Sequence, residues 1–513
     1  MLLLASLLLS SLPGQSITLR PYLQAVRTEG SPPPALGRGS LTARASDGAT
    51  WTGTPEGLWR EDPHAPPLDR KRYFASRRWL PDDHVLALLP DSAAGMWVKT
   101  KTGVSHIEFR RMTLEEKAAY FEDRIRKRHL RHGFVASSSL AEPGNLASNR
   151  TGSTDNDGLW TAMYAAAECY RYAATKSPEA LAYAKAAIEA ILKLEEITGR
   201  PGLPARSYIL PSEPRPRDGI WFASPTANLI WKGDTSSDEI VGHFYIFAIA
   251  YDMLPDQELK NRIQSTVRRM MSLIVNHNYT LTDIHGLPTW WGRWDREYFA
   301  SERGKPDSPL NALEILSFLK VAHHITGDQV FASHYGRLAV GEGYAPLTEK
   351  YKKMRETINY SDEELAMLSF YPLLGFEDDP GLRGVYLAAL DQWWENCQNE
   401  KNPLWTYIYA TANRGKPAPL EDAAWTLQRI PMDLVSWTVK NSNRTDIQWV
   451  GDADRFGRRQ SKTLLPPDER PIMKWNGNPF IVDGGNGGRS EDDGAFFLLP
   501  YWMGRAHRLN KGH

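Results

Sequence analysis

From about residue 113 onward, apolar side chains recur at the 3.6-residue spacing of helices that bury one face, and they come in pairs. The pattern predicts helices over 158–175, 178–198, 238–254, 256–276, 310–326, 329–341, 362–374 and 381–397, with a last one over the run AFFLLPYWMGRAH after residue 494. Short turns bearing Pro or Gly join the members of a pair (LPDQE, ITGDQ, LGFEDDPG), as antiparallel helix hairpins require. Thr113 followed by Glu116 spells a capping box, which places the start of the helical part there. Long irregular stretches rich in Trp, Gly, Pro and Asp separate the pairs, over 200–237, 278–309, 410–431 and 449–494. Loops of that length are usually functional. Hairpins arranged about an axis with such loops at one end would wall a single pocket, so the expected fold is mainly α, an (α/α)6-type toroid of helical hairpins with a small N-terminal β-rich segment. A helical solenoid would instead show a fixed repeat of roughly 34 to 47 residues, and none recurs here.

Before residue 113 the pattern differs. Trp51-x-x-Thr54-x-x-Gly57-Leu58 matches Trp97-x-x-Thr100-x-x-Gly103-Val104 at an offset of 46 residues, and apolar residues alternate around 85–89 and 96–100. This segment resembles the blade repeat of two-component-regulator propellers. Two blades cannot close a ring, so the resemblance implies a remnant packed on the helical part. The expected division is a leader over 1–16, a β-rich segment over 17–112 and the helical domain over 113–513.

The opening run MLLLASLLLSSLPGQS reads as an export signal, too short to cross a bilayer, and places the mature chain in the periplasm or outside the cell. No later segment is apolar for long enough to predict a membrane span. With 61 basic against 61 acidic side chains, no net positive field is available to hold nucleic acid, and the basic run from Arg124 to Arg131 reads as a solvated helix face. Cys169 and Cys397 are the only cysteines; their spacing does not tell a disulfide from two buried thiols. No CxxC or HExxH motif occurs, so no metal site and no cofactor is expected, with a divalent cation left open.

Over roughly 113–510 the paired helices and the acidic, aromatic loops between them resemble the six-hairpin, α/α-toroid superfamily of carbohydrate-active enzymes, which holds glycoside hydrolases and polysaccharide lyases. The resemblance implies a central cleft with acidic or Tyr/His/Arg catalytic groups at helix starts and aromatic platforms for sugar rings. Five clusters fit. Asp155 and Asp157 lie in a polar run before the helix at 158; capping explains one of them, and sugar or cation binding is the alternative. Asp234, Asp238, Glu239 and His243 open the helix at 238, and Glu239 and His243 share a face that runs into an apolar stretch where burial would shift their pKa values. His285, Trp290, Trp291, Arg293 and Trp294 form an aromatic loop suited to stacking on sugars, Arg293 being able to pair with a uronate. Asp362 opens another helix beside the capping pair Ser361 and Glu364, and Glu491 and Asp492 follow a glycine-rich loop. The reading is hydrolysis of a glycosidic bond by two carboxylates. Asp238 or Glu239 takes one role, and Asp155, Asp157 or Asp362 the other. The rivals are a lyase using His243, His285, Arg293 and Tyr298 on a uronate-containing glycan, and a non-catalytic glycan-binding scaffold.

Overall fold

The structure is a computed structural model that describes residues 15–512 except 29, 355, 356, 413–415, 472 and 475. All but the last two residues of the expected leader therefore lie outside the described residues.

After a two-residue strand β1 (Ile17–Thr18), the N-terminal part is built from β2 (Tyr22–Thr28), β3 (Thr42–Arg44), β4 (Thr50–Gly53), β5 (Leu58–Glu61), β6 (Lys71–Phe74), β7 (Val85–Pro90), β8 (Met96–Thr100) and β9 (Val104–Met112). They form two four-stranded antiparallel sheets, β3-β4-β5-β6 and β2-β9-β8-β7. The sequence repeat is a repeated turn. Thr54 Oγ1 donates to Gly57 O at 3.0 Å and Thr100 Oγ1 to Gly103 O at 3.1 Å, and in both copies the Thr N–H donates to the same carbonyl at 2.8 Å. The tryptophans of the repeat diverge: Trp51 is fully buried and stacks on Phe74, whereas Trp97 is half-buried and stacks on His106. The second sheet takes its outer strand, β2, from the start of the chain, and apolar residues of both sheets meet in one small core.

Helices follow: α1 (Leu114–Arg128), α2 (Asp157–Thr175), α3 (Pro178–Glu196), α4 (Ser237–Met253), α5 (Gln257–Asn276), α6 (Arg296–Ala300), α7 (Ser308–Thr326), α8 (Gln329–Gly336), α9 (Tyr344–Leu347), α10 (Tyr351–Met354), α11 (Tyr360–Phe376), α12 (Pro380–Cys397), α13 (Pro403–Ala412), α14 (Leu420–Arg429) and α15 (Ala495–Ala506). At the start of α1 both halves of the Thr113/Glu116 capping box are made. The chain is mainly α. Six helices, α2, α4, α7, α11, α13 and α15, pack each on the next, and α15 returns to α2. Apolar or small residues cover nearly every side of α4, α7 and α11, as full burial demands. Their partners α3, α5, α8, α12, α14 and α1 pack outside, and α5 buries only a stripe including Leu259, Ile263, Val267, Met270 and Ile274. The ends of the chain meet where β1 pairs in parallel with Asn510–Lys511.

Two expectations change. The stretch 410–431 is not irregular, since the end of α13 and all of α14 lie in it. α13 (PLWTYIYATA) is apolar throughout and shows no periodic contrast, while α14 does carry the helical stripe Leu420, Ala423, Ala424 and Leu427 within only ten residues. The aromatic segment near 290 is a β-hairpin, Thr280–Thr282 against Pro288–Arg293, rather than a loop. Cys169 and Cys397 are both buried free thiols.

A buried ionic network joins the β sheets to the helices. Asp468 accepts from Arg72 at 3.0 Å and pairs with Arg429 at 2.8 Å, and Glu469 pairs with Arg429 and Arg444 at 3.1 and 2.8 Å. Lys117 of α1 donates to Gln24 on β2 and to the carbonyls of Leu427, Gln428 and Ile430 at the end of α14, where the helix dipole favours a cation.

Candidate active site

Four of the inner helices start with a carboxylate; Asp157 of α2 is turned into the core, and the other three converge. Asp238 lies in the first turn of α4, Asp307 is the N-cap residue of α7, and Asp362 lies in the first turn of α11. Helix starts favour acidic side chains because their first N–H groups have no intrahelical acceptor and the dipole is positive there. Because these helices are neighbours and run the same way into the core, the three carboxylates line one cavity of about 470 Å³. Trp291, Tyr298, Asn311 and Arg455 complete its wall. The volume is that of a small-molecule or sugar-binding cleft.

The electrostatics differ from residue to residue. Burial raises the Asp238 carboxyl above its usual range, against the opposing charge of Arg206 and hydrogen bonds from Ser236 Oγ and Asn156 Nδ2, both at 3.2 Å. Tyr298, held on the short helix α6, donates its hydroxyl to Asp307 at 3.0 Å; burial, with the Asp307 charge adding to it, pushes that phenol up to about 12. Asn359 Nδ2 donates to Asp362 at 2.5 Å. One turn below Leu310 and Asn311 on α7, Glu314 is fully buried and accepts from Trp294 Nε1 at 2.8 Å. Burial, opposed by the Trp294 hydrogen bond and reinforced by the charges of Asp238, Asp362 and Asp307, raises the Glu314 carboxyl well above its usual range behind the cavity.

No protein-family model matches this chain, and no curated protein matches it. Among solved structures it is similar to a crystal structure of a sugar epimerase from a ruminal bacterium. The two are 10% identical over 75% of this chain and 98% of that one, with a TM-score of 0.29.

The other residues singled out in the sequence scatter. Glu239 points away from the cavity: fully buried, it accepts from the N–H of Gly158 and Leu159 at 3.1 and 3.4 Å and so caps the neighbouring helix α2. A Cβ on Gly158 would sit 2.0 Å from Glu239 Oε2, which is why that helix start is glycine. Burial drives the Glu239 carboxyl well above its usual range. His243, one turn on, lies in the core against Phe247, and burial drops it to about 4, leaving it neutral. Asp157 is buried in an ion pair with Arg131 at 2.5 Å, and the exposed Asp155 pairs with Lys232 at 2.5 Å. Asp234 accepts from the Trp290 N–H at 2.9 Å and fixes the aromatic hairpin.

On that hairpin Trp290 and Trp291 are 56% and 47% exposed, but Trp294 is 0% exposed and packs edge-on against Phe318 in the core. Trp294 cannot be a sugar platform, since no ring face reaches solvent. Arg293 is held by Asp295 at 3.1 Å, and His285 is exposed beside Phe222, outside the cavity wall. Glu491 is tied to Arg128 and His129 at 2.5 and 3.3 Å, and Asp492 accepts from Ser137 at 3.1 Å, so the glycine-rich loop is anchored away from the cavity. Among the described residues no group of three or more His, Cys, Asp or Glu is placed to hold a metal ion. No helix among them is long and apolar enough to cross a membrane.

Sequence reasoning passed over Asp307, Asn311, Glu314 and Arg455. Asp307-Ser308-Pro309 does spell a helix start with proline in its first turn, so Asp307 had a readable signal once α7 is begun at 308 instead of 310. Arg455 had none, because an irregular segment delivers it from far along the chain.

Proposed function

We propose that the chain is a carbohydrate-active enzyme that hydrolyses a glycosidic bond in an oligo- or polysaccharide, acting in the periplasm or outside the cell. The cycle of six inner helices with partners outside them reads as the expected (α/α)6-type toroid. The observation that carries the activity is the convergence of Asp238, Asp307 and Asp362 on one cavity edged by the exposed Trp291. Two-carboxylate hydrolysis needs one carboxyl kept protonated and one ionised. Asp238, raised by burial, is the acid that protonates the glycosidic oxygen as the C–O bond breaks. Asp307 or Asp362 then removes a proton from the incoming water, which completes the bond to the sugar carbon, or attacks that carbon itself and is released by water afterwards. The indole of Trp291 supplies a face for sugar C–H groups.

A lyase reading has one residue in its favour, Tyr298 in the same cavity, but its intended partners His243 and His285 lie elsewhere. A screen of neutral and uronic-acid polysaccharides, read for reducing ends and for ultraviolet absorbance of unsaturated uronates, tests the proposal. Reducing ends without absorbance, lost in Asp238→Asn, are expected. Absorbance rising with the reducing ends would transfer the chemistry to Tyr298. Silence on every substrate, with glycan binding retained, would leave a scaffold.

A further inference from the structure

The cavity has an acidic floor, and its wall carries Arg455 and Trp291, each delivered by an element that bears further arginines and aromatic rings close by. On the rim, residues 449–461 form an arm closed at its base by bridges between Trp449 and Ser461 and between Val450 N–H and Gln460 O at 3.0 Å. Its tip is rigidly built. Asp454 Oδ1 accepts from the N–H groups of Phe456 and Arg458 at 2.9 and 2.8 Å, and the Asp454 carboxylate pairs with the Arg458 side chain at 2.7 Å. This construction turns Arg455 into the cavity wall and leaves Phe456 67% exposed beside it, with the Arg455 guanidinium 4.7 Å from the ring. Arg459 lies 3.6 Å over the Trp449 ring. From the aromatic hairpin side, Arg303 lies 3.7 Å over Trp290 and 5.3 Å from Trp291. Arg303 also donates to the Trp290 carbonyl at 3.0 Å, and the contacts of Arg455 and Arg459 are with rings.

Guanidinium groups resting on aromatic faces, two of them exposed (Phe456 and Trp290) and one half-buried (Trp449), are matched to two things at once, planar anions and the C–H faces of sugars. The three aspartates at the floor would repel an anion on the sugar that reacts. We infer that the substrate is an anionic polysaccharide whose negative groups, carboxylate or sulfate, sit on the sugars flanking a neutral one at the floor, with Arg455, Arg459 and Arg303 gripping the flanks. This rests on the reading of the cavity as a glycan-cleaving site.

The test is affinity electrophoresis of the full chain in gels containing hyaluronan (a uronate alternating with a neutral amino sugar), carrageenan (sulfated) or dextran (neutral). At least tenfold tighter retention by one charged glycan than by dextran is expected, lost about tenfold in Arg455→Ala/Arg459→Ala and unchanged in Arg111→Ala, which removes an exposed arginine on β9. Preference for hyaluronan assigns the carboxylate and preference for carrageenan the sulfate. Equal retention by all three, no retention, or retention that survives the double variant overturns the inference. Binding of a charged glycan by the rim without turnover would sink the hydrolase reading and leave the rim assignment standing. Turnover of neutral chains with no charged preference would do the reverse.

Discussion

Asp238 and Glu239 are adjacent in sequence and opposite in consequence, because successive residues on a helix point about 100° apart. One faces the cavity and the other caps α2 from inside the core. Glu239→Gln should therefore keep the fold and the activity. The sign of its stability effect follows from linkage: the Glu239 carboxyl ionises near 4.5 in an unfolded chain but is raised well above that when folded, so its contribution to stability falls as pH rises from 4.5 toward the native value. Gln carries no such penalty. Its melting temperature should exceed that of the parent at pH 7.5, and the gap should close below pH 4.5, as thermal melts across pH would show. Trp291→Ala and Trp294→Ala separate in the same way. The first should raise KM with little change in melting temperature, and the second, at a site that is 0% exposed and filled by an indole, should cost about 3–5 kcal/mol in denaturant titrations.

At the scale of elements, the approach of α2 to α4 depends on two glycines. A Cβ at Gly242 would lie 2.7 Å from the Leu159 Cα, as one at Gly158 would meet Glu239. In an open helix Gly→Ala gains about 1 kcal/mol from propensity. At Gly242 the sign should reverse, with a loss of about 1–3 kcal/mol from overpacking, measurable by chemical denaturation. A stabilised variant would mean that the two helices sit farther apart than described. α4 was legible because a polar start runs directly into an apolar stretch, and α5 because Asp256 caps a run with one apolar stripe. α13 and the aromatic hairpin were not, since one lacks any polar contrast and the other fits its alternation into six residues that read equally well as a loop. Asp238 and Asp362 could be picked as helix-start acids, but so could Asp155 and Asp157. What separates them is which helix starts face the cavity, and that is set by packing between elements such as α15 and α2, more than 300 residues apart.

For the molecule as a whole, the β sheets and the helices are held by the buried Asp468 and Glu469 among Arg72, Arg429 and Arg444. Burial works to raise the Asp468 carboxyl, but the charges of Arg429 and Arg72 override it and hold it below its usual 3.8. A depressed acid gives stability that is complete above its unfolded value and is lost as pH falls through the native one, so the junction should fail only below about pH 4. Asp468→Ala leaves buried guanidinium groups uncompensated and should cost about 3–5 kcal/mol at neutral pH, with limited proteolysis then cutting between the two parts. The starts of α4, α7 and α11 meet at the cavity where the proposed chemistry takes place. The most direct test of that chemistry is turnover of a cleaved glycan by Asp238→Asn beside Glu239→Gln, each confirmed as folded by circular dichroism. Loss of about a thousandfold in the first with near-parental turnover in the second is the predicted result. Full activity in Asp238→Asn, with activity lost in a folded Glu239→Gln, would contradict it.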